Sequence, residues 1–86
     1  MKQLIISFKS RNELYSFARM LKSNNLFISI INTPKSIGSS CTLSIKTEYK
    51  NLNLISNLLN RFNPQSFLGI YSFVSTSNGN QIFRLL

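Results

Sequence analysis

Histidine, aspartate and tryptophan are missing from this 86-residue chain, and it holds one cysteine and two acidic residues, Glu13 and Glu48. Without histidine or aspartate, most hydrolase and metalloenzyme chemistries have no base and no ligand set to work with. A lone cysteine cannot close an intrachain disulfide, so the expected compartment is the cytoplasm, where a thiol stays reduced. No apolar run approaches the length of a membrane helix, and no membrane association is expected. The apolar stretch near Met1 is too short for a signal peptide and has no small-residue cleavage site. No internal repeat, linker or low-complexity tail interrupts the sequence.

What is present fits one small globular domain spanning residues 1–86, with 43% hydrophobic residues and a mean hydropathy of +0.03. The net charge is +8 and the isoelectric point is near 10.3, which favours anionic partners. Only 14% of residues are charged, so the excess reflects missing acids, and asparagine and serine fill most polar positions. The base composition of an AT-rich genome would produce the same numbers.

Leu4, Ile6 and Phe8 alternate with Gln3, Ile5 and Ser7, so residues 2–8 are predicted to form a strand. Ser10-Arg11-Asn12-Glu13 has capping-box spacing, with Ser10 as N-cap and Glu13 reaching back to it. Leu14, Phe17, Ala18 and Leu21 then recur at helical spacing until Asn24-Asn25. Residues 26–32 read as a second strand, and the Thr33–Ser40 loop leads to a third, Cys41–Lys46. A second helix opens at Thr47 or Glu48, presents Leu52, Ile55, Leu58, Leu59 and Phe62, and stops at Asn63-Pro64. Residues 67–74 form a fourth strand, Ser77-Asn78-Gly79-Asn80 is a hairpin signal, and Gln81–Leu85 forms an extra strand.

The order β-α-β-β-α-β plus a terminal β predicts an α+β, ferredoxin-like sandwich, with both helices on one face of an antiparallel sheet. Right-handed crossovers then bring the loop between the second and third strands to the same end as the turn into the first helix. Cys41 is thereby expected on one rim with Lys9, Ser10 and Arg11, and Arg61 at the end of the second helix reaches it too. A thiol of pKa ~8.5 is mostly protonated at neutral pH, and a positive surrounding lowers that value. The first helix turns its N-terminus to this rim, Lys9, Arg11 and Lys35 add charge, and Ser39, Ser40 and loop N–H groups can donate to a sulfur anion. Lys9 and Arg11 at a helix N-terminus break a local rule, which solvated side chains tolerate at small cost. The competing reading makes Cys41 a packing residue, since it shares the parity of the inward-facing Leu43 and Ile45.

The segment Thr33-Pro34-Lys35-Ser36-Ile37-Gly38-Ser39-Ser40-Cys41 resembles the signature of a small bacterial domain family of unknown function described as selenium/sulfur carrier-like. That signature runs threonine-proline-basic, an aliphatic, a serine run, then cysteine and glycine. The layout around it is similar as well, down to a closing strand with Gly69-Ile70-Tyr71, so the resemblance covers nearly the whole chain. Gly38 stands where the family often has serine, Lys35 where it usually has arginine, and Thr42 where it often has glycine. The resemblance implies a carrier rather than a true enzyme. Cys41 would take sulfur or selenium from a desulfurase-type donor, hold it as a persulfide or selenosulfide, and pass it to an acceptor protein. Thr33, Pro34, Lys35, Ser39 and Ser40 would form the binding segment. Lys35 and the two serines would stabilise the anion, and Lys9 and Arg11 would attract acidic partners. No cofactor or metal is implied.

Two rival readings remain. The fold order and charge are also those of RNA-recognition domains, and Phe67, Tyr71 and Phe73 share the parity opposite to Leu68 and Ile70, as if lining the open sheet face. The third strand, Cys41-Thr42-Leu43-Ser44-Ile45-Lys46, lacks the stacking aromatics such domains place there, which makes nucleic acid the weaker reading. Cover of these rings by the terminal strand or a homodimer partner is the alternative. The other rival is a regulatory domain whose Thr33–Ser40 loop binds a small anion while Cys41 is structural.

Overall fold

The structure is a computed structural model; it describes residues 2–35, 37 and 43–85, while Met1, Ser36, residues 38–42 and Leu86 lie outside the described residues. The alternation in the first seven residues forms β1 (Lys2–Phe8), whose Leu4, Ile6 and Phe8 are buried on one face. Ser10, in an extended conformation, caps α1 (Arg11–Ser23) by accepting from the Glu13 N–H at 3.3 Å. Leu14, Phe17, Ala18 and Leu21 form its buried stripe. The helix ends in a Schellman motif: Asn25 takes φ 64°, its N–H donates to the Lys22 carbonyl at 3.0 Å, and the Leu26 N–H donates to Leu21 at 3.2 Å. That closure absorbs residues 26 and 27. The next strand, β2 (Ile28–Asn32), therefore begins two residues later than expected, and Phe27 is left 85% exposed.

Beyond residues 38–42, β3 (Leu43–Glu48) is followed by a single 3-10 turn, Tyr49–Asn51, and α2 (Leu52–Phe62). The expected helix start at Thr47 or Glu48 is corrected by this path. The Thr47 hydroxyl, instead of capping a helix, donates to the Phe27 carbonyl of the neighbouring segment at 2.8 Å and keeps the chain extended. Asn63 ends α2 in the left-handed region at φ 49°, with its N–H on the Leu59 carbonyl at 2.8 Å, and Pro64 follows. β4 (Phe67–Thr76) turns through Ser77-Asn78 into β5 (Gly79–Arg84), and Gly79 adopts φ 115°, a conformation open to glycine alone at little cost.

The strands form one sheet in the order β2-β3-β1-β4-β5, with every neighbouring pair antiparallel. Side chains from α1 and α2 share one hydrophobic cluster with Leu4, Ile6, Phe8, Ile45 and Ile70, so both helices lie on the same face of the sheet. Phe8, Phe17, Phe62 and Phe67 form a continuous chain of rings at 5.6–5.9 Å between centroids, joining β1, both helices and β4 at one end.

The aromatic parity of β4 is interrupted. A bulge sets Ser7 opposite Gly69 but Phe8 opposite Phe67, which makes Leu68 the extra residue. Phe67 thus rotates into the helix-side cluster beside Phe8, and only Tyr71 and Phe73 remain on the face away from the helices. The terminal strand does not lie over them; it pairs edge-on with β4 and lengthens the sheet. The Lys46 ammonium instead sits 5.3 Å from the Phe73 ring centroid. β1 runs between β3 and β4, so the Lys46 alkyl chain crosses over that strand and helps cover Ile5, which is 1% exposed.

Candidate functional site

The register decides which residues gather. Asn32 pairs with Leu43, Ser44 with Ser7, and Phe67 with Phe8, so the end of β2, the start of β3, the end of β1 and the start of β4 share one edge of the sheet. Lys9, Ser10 and Arg11 leave β1 at that edge, and the last turn of α2, which carries Arg61, returns to it through Asn63–Ser66. Thr33, Pro34 and Lys35 leave β2 at the same edge, two strands from β1, or about 10 Å at ordinary strand spacing. Lys9, Arg11 and Lys35 are exposed, and Thr33, Pro34 and Ile37 are half-buried. Cys41, Ser39 and Ser40 lie outside the described residues.

The turn beneath Lys9 and Arg11 is fixed by Glu13. Its carboxylate does not reach back to Ser10, as a full capping box requires. It reaches across to the α2–β4 connection and accepts from the Gln65 N–H at 3.0 Å, the Ser66 N–H at 2.7 Å and the Ser66 hydroxyl. Ser66 reciprocates by accepting the Ser10 N–H on Oγ at 3.1 Å and the Lys9 N–H on its carbonyl at 2.8 Å. The Ser66 hydroxyl, then the two main-chain N–H groups, hold the Glu13 carboxyl below its ordinary range. One of the two acids in the chain is thus spent on joining the ends of β1 and α2. The other, Glu48, pairs with Lys50 at 3.7 Å at the opposite end of the sheet.

The Thr33 end is held differently. Thr33 Oγ1 lies 2.7 Å from Ser44 Oγ, which lies 2.9 Å from Ser7 Oγ. The three hydroxyls run from the end of edge strand β2 through β3 to β1, on the face away from the helices, and Ser7 and Ser44 are fully buried. After Thr33, Pro34 supplies no N–H, and its carbonyl accepts from the Ile37 N–H at 3.0 Å, closing a tight turn around Lys35. Ser7 and Ser44 did not stand out in the sequence as functional residues. The available signal was a serine at the same level of two adjacent central strands, at positions that β-branched residues usually fill.

Among the described residues no group of three or more histidine, cysteine, aspartate or glutamate side chains gathers as a metal site, and no helix is long and apolar enough to cross a membrane. A family model described as "Putative Se/S carrier protein-like" matches residues 3–72, from β1 into β4. The chain belongs to this family. The matched span takes in Thr33–Cys41 together with Lys9, Arg11, Ser7 and Ser44; β5 and the end of β4 fall beyond it. No curated protein and no solved structure matches the chain.

Proposed function

We propose that this member of the selenium/sulfur carrier-like family loads sulfur or selenium on Cys41 and delivers it to an acceptor protein. The observation that carries the reading is the family match across residues 3–72, a span that contains Thr33-Pro34-Lys35 and Cys41. The register adds support, since the segment entering the motif leaves the sheet at the edge that also carries Lys9, Arg11 and Arg61. Cys41 lies two residues before Leu43, the first residue of β3 at that edge.

In the loading step the Cys41 thiolate attacks the outer sulfur of a donor persulfide. A new S–S bond forms on Cys41, the donor's own S–S bond breaks, and the donor leaves as a thiolate. The step needs a nucleophilic sulfur and a positive surrounding that holds the product as an anion; it needs no histidine and no metal. Lys35, Ser39 and Ser40 serve that second role, Thr33 and Pro34 shape the segment, and Lys9 and Arg11 steer acidic donor and acceptor surfaces towards it. The partners are a desulfurase-type donor and an acceptor protein, in the cytoplasm. We read β2-β3-β1-β4, with two helices on one face, as a ferredoxin-like core to which β5 is appended beside β4.

The test is intact-mass analysis after incubation with a cysteine desulfurase and cysteine. Gain of sulfur that reductant reverses, and that Cys41→Ser abolishes, is the expected outcome. Loading that survives Cys41→Ser, or no loading at all, defeats the assignment.

A further inference from the structure

Among the described residues the sheet ends in two strands that pair on one side alone, β2 and β5. Such an edge offers a row of main-chain N–H and C=O groups to another strand, and proteins usually blunt it with a charge, a proline or a bulge. β5 carries Arg84. β2 reads Ile28-Ser29-Ile30-Ile31-Asn32; it holds no charge and no proline, and its register with β3 runs without a shift. The neutral stretch is longer than the strand. From Ser23 to Pro34 no residue is charged, in a chain with a net charge of +8. Lys46, opposite Ser29 on β3, leans away from this edge towards the Phe73 ring. Apolar side chains collect here too. Of the five large hydrophobic residues exposed among the described residues, Phe27 immediately precedes β2 and Ile30 is its central residue. Ile30 pairs with the buried Ile45, so it shares the helix side of the sheet, yet it is left exposed at the rim of that face. Tyr15 is the third. α1 packs against β1, β3 and β2, while its Glu13 and Phe17 turn to α2 and the connection after it. Two residues from each, Tyr15 sits nearly half a turn round the helix and faces the other way, on the β2 side.

We infer that β2 pairs antiparallel with β2 of a second copy of this chain, about a twofold axis at Ile30, and joins two five-stranded sheets into one. The register is self-consistent: Ile30 lies beside the partner's Ile30, Ser29 beside the partner's Ile31, and Ile28 beside the partner's Asn32. Each pair joins residues of the same parity, so the helices of both copies lie on one side of the joined sheet, with a Tyr15 ring flanking the Ile30 pair from each. Charge selects a second copy over an acidic partner. Two chains of +8 repel, and this edge lets them meet with no like charges opposed along the strands. An acidic partner is drawn to cations, and Ser23–Pro34 supplies none. The pairing is independent of Cys41 and its cargo. The Thr33 ends of the two copies point in opposite directions, so each keeps its own edge for the carrier motif.

The experiment is sedimentation equilibrium of the full chain over a range of concentration, joined to hydrogen exchange of the β2 amides. Reductant is present throughout, so that no disulfide through Cys41 contributes. The wild-type mass should climb from 9.8 kDa towards twice that value, and the outward amides of β2 should exchange more slowly as concentration rises. Arg11 and Lys22 share the Tyr15 flank of α1 and face their counterparts across the axis, so added salt should strengthen the association. Ile30→Lys and Ile30→Glu each oppose two like charges at the axis, and each alone should lose the association while keeping the wild-type circular dichroism. Mixing the two should restore it, because a residue that meets itself across the axis is complemented by the opposite charge. Phe83→Lys, on the other edge strand, should associate like the wild type. A wild type that keeps the one-chain mass at every concentration overturns the inference, and so does a dimer that survives Ile30→Lys. If neither Ile30 variant folds, wild-type protection that rises with concentration at β2 and not at β5 decides alone. Protection of β2 by added poly-glutamate, in a protein that stays a single chain, would give the edge to an acidic strand and overturn the self-pairing.

Discussion

Phe17→Leu should destabilise the fold by an amount the ring chain sets. Phe17 is fully buried on α1, with its ring centroid 5.6 Å from Phe8 on β1 and 5.6 Å from Phe62 on α2. Leucine keeps most of the apolar volume but removes both ring pairs, each worth about 0.5–1.5 kcal/mol beyond area burial. The two pairs together account for about 1–3 kcal/mol, and any small cavity adds to that. A domain of this size loses about 4–8 °C of melting temperature per kcal/mol, which places the expected drop at roughly 5–20 °C. Thermal unfolding followed by circular dichroism reads it directly, with Phe27→Leu as control, because Phe27 is 85% exposed and its replacement should stay within about 0.5 kcal/mol of the wild type. A Phe17→Leu midpoint no lower than that of Phe27→Leu would refute the claim that this chain of rings ties both helices to the sheet.

Further outcomes follow from the turns. Glu13 has its folded-state pKa lowered by the Ser66 hydroxyl and the Gln65 and Ser66 N–H groups, so its contribution to stability is present above the ordinary carboxyl pKa and fades as pH falls through the lower folded value. Glu13→Gln should therefore be less stable than the wild type at pH 7, with the gap narrowing in acid; a gap of constant size in urea titrations across that range would contradict the clamp. Gly79→Ala should cost about 1 kcal/mol from backbone strain alone, since φ is 115° and no atom lies within 4 Å of the added Cβ. Hydrogen exchange should then show the β4–β5 hairpin opening more readily while β1 and β3 stay protected, and equal loss across all strands would count against that placement.

The sequence made the inner part of the fold legible because local and tertiary preferences agree there. β1 alternates, Ser10 caps α1, and the stripes Leu14–Leu21 and Ile55–Leu59 each fit one buried face. It misled where a side chain serves a distant segment. Thr47 resembles a cap but donates to the Phe27 carbonyl just ahead of β2, and Glu13 completes a capping box on paper but clamps Ser66, fifty-three positions away. Parity failed at Phe67 because one bulged residue, Leu68, reverses every side chain before it relative to those after it. At the site, the edge of the sheet and the placing of Lys9, Arg11 and Thr33–Lys35 upon it followed from strand order alone. The Ser7–Ser44–Thr33 chain did not, because it depends on pairing register, which alternation within a single strand does not contain.

The central claim is that Cys41 carries the sulfur, and peptide mapping of loaded protein addresses it most directly. After transfer from a desulfurase supplied with radiolabelled cysteine, tryptic cleavage at Lys35 and Lys46 isolates residues 36–46, which contain Cys41. The account predicts reductant-labile label on that peptide and nowhere else. Label distributed over other peptides, or none retained while an established carrier in the same mixture loads, would contradict it.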